Sequence, residues 1–212
     1  SDGGKDLNAR YIVNYMGMIF RDYKGAMAEA LRLQQRSAKA SGGGAIMVSN
    51  LQNTALSIMG ALEKSLEHRA STCYEDPILA HVFLMNNYRH VLVRLKDCVE
   101  LADSLGEDFI TKWRRKVDFN LRSYIKKVWE NVVSNLGREG LQVSGGRGVS
   151  RDLLMKRVKA FNIAFEEVCR EQVRWVILDD SLRQNVFVQV TQLLIPAYHA
   201  FMQSYGSYLE EG

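Results

Sequence analysis

"FLMNNYRHVLVRL", running from Phe83 to Leu95, decides how the rest of the chain is read. Two asparagines sit inside a stretch that otherwise has the composition of buried core. Asn is a weak helix former, and burying it without partners costs free energy. Either the segment is a loop, or Asn86 and Asn87 have a task inside a helix. Val82, Phe83, Leu92 and Val93 make an apolar face at helical spacing, which favours a largely buried helix. The asparagines are then expected to hydrogen-bond an adjacent turn or a helix end, as a polar lock on how helices meet. An exposed ligand pair is the rival reading.

Outward from this stretch, apolar residues recur at helical spacing almost everywhere. Upstream they are Leu7, Tyr11, Tyr15, Met18, Tyr23, Met27 and Leu31, then Leu51, Ala55, Ile58, Met59, Leu62 and Leu66. "SAKASGGGA" separates the two and predicts a flexible loop near 37–45. Its Gly run at 42–44 is either native or the mark of a shortened loop. Asp76 and Pro77 have the residue types of a helix N-cap and first helical position. The helix they open is expected to reach about Ser104, with "LGED" as a stop and restart around Gly106. A fourth segment carries an unbroken stripe from Phe109 and Trp113 through Val117, Leu121, Ile125, Val128 and Val132 to Leu136. Gly-rich sequence then predicts a loop near 138–149, and Ser150 caps a fifth segment. In the last, "VFVQVTQ" alternates like a strand, but the longer helical stripe on both sides outvotes it, with a kink near Pro196.

The expectation is therefore all-α: about six helices of roughly 20–30 residues stacked as antiparallel hairpins into an elongated, rod-like bundle. Residues 1–212 read as a single helical region. A composition of 47% hydrophobic and 25% charged residues is that of a globular chain. Only two prolines interrupt it. The net charge of +4 permits attraction to phosphate or anionic lipid without demanding it. Three cysteines, odd in number and far apart, match neither a zinc knuckle nor a redox pair and suggest reduced thiols. The apolar runs fall short of a bilayer span, and "SDGGKDLNAR" lacks the apolar core of a signal peptide and an initiator Met. A part of a larger cytosolic protein is the expectation.

Chemistry finds no foothold. His68, His81, His90 and His199 are scattered away from metal-ligand spacing, and Glu166 and Glu167 lack the Glu-x-x-His that completes a carboxylate metal motif. "GGRGVS" has neither the preceding strand nor the Gly-Lys-Ser/Thr ending of a phosphate loop. No nucleophile stands with a base, so neither catalysis nor a cofactor is expected. Two basic clusters remain, "KWRRKV" from Lys112 and "LLMKRVKAF" from Leu153. Their neighbouring aromatics keep core spacing instead of forming a base-stacking row, which argues against nucleic acid.

"RYIVNYMGMIFRDYKGAM", "FLMNNYRHVLVRL", "LGEDFITKWRRKV" and the run from "RVKAFNIAFEEV" to "AFMQSYG" together resemble the seventy-kilodalton subunit family of the exocyst, in the style of plant members. The resemblance follows the family's order over most of the chain. It implies the C-terminal portion of a rod-shaped tethering protein, cytoplasmic and peripheral at the plasma membrane, which holds secretory vesicles there. Implied partners are other exocyst subunits, small GTPases and phosphoinositides, with pathogen effectors and a plant-defense role for plant relatives. Basic residues at the family's "KxFN" motif are implied in lipid contact. Here the motif reads "VKAFN", and the matching cations are Lys156, Arg157 and Lys159. Arg157 stands where family members often carry an acid. The family usually continues beyond "YGSYLEE" into a further basic stretch and helix, which leaves the lipid affinity of this chain open. A cytosolic helical adaptor that docks short peptides or effectors without touching lipid is the alternative.

Overall fold

The computed structural model describes residues 3–36, 43–141 and 149–210. Its helices are α1 (Leu7–Arg36), α2 (Gly43–Thr72), α3 (Pro77–Lys96), α4 (Val99–Ile125), a π turn (Lys126–Glu130), α5 (Asn131–Ser134), α6 (Arg151–Gln172) and α7 (Asp180–Glu210). No strand occurs among the described residues, and the fold is all-α. Of the loop expected near 37–45, residues 37–42 lie outside the described residues and α2 begins at Gly43. Residues 142–148 of the second loop are likewise outside. Its base is closed by Ser150 N–H donating to the Leu141 carbonyl at 3.2 Å.

Helix starts follow capping chemistry. Asp76 accepts from Ile78 N–H at 2.7 Å with Pro77 in the first turn, and Ser150 accepts from Leu153 N–H at 3.4 Å. Asp179 does the same for α7, accepting from Leu182 N–H at 2.8 Å. These bonds satisfy donors that the first helical turn leaves without partners. One stop departs from the sequence reading. The helix expected to reach Ser104 ends at Lys96, because Asp97 N–H turns back to the Arg94 and Leu95 carbonyls. α4 starts at Val99, and at Gly106, whose φ of +81° and ψ of 163° are non-helical, one helical stretch stops and the next restarts across a kink, as "LGED" leads one to expect. The stripe from Trp113 to Leu136 is buried, but it passes through the π turn, where Val128 and Trp129 are both buried. "VFVQVTQ" is helical, within an α7 that runs through Pro196.

The chain forms two compact units, residues 3–120 and 121–210. In the first, α1, α2 and α3 pack pairwise on one another. α2 buries Ala55, Met59, Leu62 and Leu66, as its periodicity predicts. α1 reverses the reading of its own sequence: Leu7, Tyr11, Tyr15 and Met18 face outward, while Ala9, Val13 and Met16 are buried. Tyr23, Met27 and Leu31 fall outside the described side chains. Small residues let α1 come close to its neighbours, and the Cys98 thiol reaches the Gly17 carbonyl at 3.5 Å.

Asn86 and Asn87, both buried, meet the segment that leads into α1. Asn86 Nδ2 donates to the Gly3 carbonyl at 2.8 Å. Asn87 Oδ1 accepts from Asp6 N–H at 2.7 Å, and its Nδ2 donates to the carbonyls of Phe83 (2.8 Å) and Gly4 (3.2 Å). Asp6, itself buried, caps α1 by accepting from Ala9 N–H at 3.0 Å, and it pairs with Arg69 of α2 at 2.6 Å. Gly3 is required here on two counts. Its φ is +74°, and a Cβ would come within 2.9 Å of Val82 Cγ1.

A second polar cluster joins α4 to α2. Lys116 reaches Glu63 at 2.7 Å and Glu67 at 2.5 Å, and Lys112 reaches Glu63 at 2.7 Å. Burial works to raise the Glu63 pKa, but the bonds from Lys112 and Lys116 outweigh it and hold the carboxyl below its usual range. Tyr88 donates to Glu67 at 3.2 Å and packs edge-on against Trp113. Burial, with the nearby carboxylates, pushes its phenol well above the ordinary value.

Two outcomes are expected. Asn87→Leu removes the acceptor of the Asp6 N–H, so it should cost about 2 kcal/mol of unfolding free energy. A urea midpoint unmoved in this variant would remove the locking role. The second outcome concerns His90, buried and lowered to about 4 by burial first and then by Lys5, Arg94 and Arg10. Above pH ~6.5 the imidazole is neutral folded or unfolded, and stability is full. As pH falls from there toward 4 only the unfolded chain takes up the proton, which removes on the order of 2–3 kcal/mol. Thermal melts across that window should show this loss, and His90→Gln should flatten it.

Candidate functional site

α6 belongs to the second unit, in which α5, α6, α7 and the π turn pack together. Leu154 and Phe161 of α6 are buried. Phe161 lies against Tyr198 of α7 with ring centroids 6.0 Å apart, and Phe165 lies 6.0 Å from Trp129 of the π turn. Tyr124 is buried close by and pushed up to about 12, chiefly by that burial. This contact set fixes the rotation of α6 and hence which side chains reach solvent.

Lys156 and Lys159 are exposed. Three residues apart on a helix, they share one side. Arg157 points elsewhere and is half-buried, its Nη2 donating to the Glu139 carbonyl at 2.8 Å. The three cations proposed from sequence are therefore two outward lysines and one arginine that ties α6 to the turn before the loop. Met155 (51% exposed) and Ile163 (46%) stand four residues either side of Lys159. Sequence reasoning passed over these two, although the i, i+4 spacing with Lys159 was there to be read. The result is an outward row of apolar and cationic side chains on α6, flanked by exposed acids: Asp152 in the first turn, and Glu166 and Glu167 further along.

The other basic cluster is largely paired with acids, with Arg115 left exposed. Lys112 and Lys116 serve the Glu63 and Glu67 cluster, and Arg114 pairs with Glu107 at 2.9 Å. Asn86 and Asn87 belong to the interior of the first unit. Among the described residues no group of three His, Cys, Asp or Glu is placed to hold a metal ion. Cys73, Cys98 and Cys169 are free thiols. No helix among the described residues is long and apolar enough to cross a membrane.

The described residues thus form an all-helical scaffold that presents Met155, Lys156, Lys159 and Ile163 outward on α6. Residues 1–212 match the family of the C-terminal region of Exo70, a component of the exocyst complex, and the chain belongs to that family. It is 34% identical to exocyst complex component EXO70A1 of Arabidopsis thaliana over 100% of its own length and 33% of that protein's. Exocyst complex component EXO70C1 of the same plant is 35% identical over 78% of the chain and 25% of the relative. EXO70I of Medicago truncatula is 28% identical over 99% of the chain and 31% of the relative. The chain thus spans a third or less of the length of these curated relatives.

The different engagement of the cations predicts different stability effects. Arg157→Ala should lower the unfolding free energy by about 1 kcal/mol through loss of the bond to Glu139. Lys156→Ala and Lys159→Ala should each stay within about 0.5 kcal/mol of wild type in the same urea titration.

Proposed function

We propose that this chain is the C-terminal scaffold of an exocyst subunit, acting in exocytosis by helping to tether secretory vesicles to the plasma membrane. On this reading its work is binding, with no reaction catalysed. Family membership supports the exocyst role. Its partners are other exocyst subunits, small GTPases and, through α6, plasma-membrane phosphoinositides, so the protein works in the cytoplasm and peripherally at the membrane. For a plant-type member, defense secretion and contact by pathogen effectors extend the same role.

The observation that carries the lipid part is the exposed pairing of Lys156 and Lys159 with Met155 and Ile163. Lysines reach phosphate while the flanking apolar side chains enter the headgroup boundary. The adaptor reading draws on the same helix: Arg157 is engaged with Glu139, and Glu166 and Glu167 repel an anionic surface.

Vesicle co-sedimentation separates the two. The full-length protein should pellet with phosphoinositide vesicles at low salt and release at high salt. At about 1 kcal/mol for each cation near the leaflet, Lys156→Glu with Lys159→Glu should weaken binding more than about tenfold. Binding that is unchanged in this variant, alongside an unchanged melt, would leave α6 a solvated face and favour the adaptor.

A further inference from the structure

We draw no further inference here: the strongest candidate, the cleft between α3 and α4 lined by Arg89, Lys96 and Arg114 together with Leu92, Leu95 and Ile110, carries nothing because the chain spans a third or less of its relatives' length and nothing in the structure shows what covers it.

Discussion

The first unit is organised around one buried carboxylate. Asp6 is taken out of water, where an unpaired charge would cost several kcal/mol. Each of its neighbours removes part of that cost and fixes an element in doing so. Ala9 N–H sets where α1 begins, Arg69 holds α2 beside it, and Asn87 of α3 holds the Asp6 backbone in place. An apolar residue at 87 would pack, but it would offer nothing to the Asp6 N–H or the Gly4 carbonyl. Dispersion alone tolerates sliding of one helix past another, whereas a network of directed bonds has one register.

This is also where sequence reasoning reaches its limit. The caps at Asp76 and Ser150 were legible because donor and acceptor lie within three residues of each other. The asparagines were legible as polar groups in need of partners. Their partners were not, since Gly3 and Asp6 lie more than eighty residues away in an extended segment without periodicity. The break at Asp97 was missed for a related reason. "LGED" announces itself with a glycine, yet a C-terminal turn closed by backbone bonds from Asp97 needs no distinctive residue type. The π turn left the apolar stripe almost unchanged, so periodicity gave no sign of it.

Charge shows the same divide between counting and pairing. Both basic clusters look alike as text. In the fold, "KWRRKV" spends Lys112, Lys116 and Arg114 on acids and leaves Arg115 outward, while "MKRVKAF" spends only Arg157 and leaves two lysines outward. A cation already bonded to a carboxylate has little left for a phosphate. The engaged Arg157 still matters to the surface, because it holds the turn at Glu139 against the helix that displays Lys156 and Lys159.

The stripe on α1 was real as a pattern and wrong as an orientation, and the cause is general. A helix apolar on two sides gives the periodicity of a buried face twice. Burial then goes to the side that permits the closer approach. On α1 that side carries Ala9, Val13 and Gly17, which let the helix settle onto its neighbours, and the larger Leu7, Tyr11 and Tyr15 are left outside. α7 has a similar character, with no Asp, Glu, Lys or Arg between Arg183 and Glu210 and with Phe187, Ile195 and Tyr198 exposed. Neither outward face is needed to fold its unit, since Val13 and Met16 or Leu182, Val186 and Phe201 already supply the inward contacts. Bulky apolar side chains held in water by rigid helices gain free energy only when something covers them.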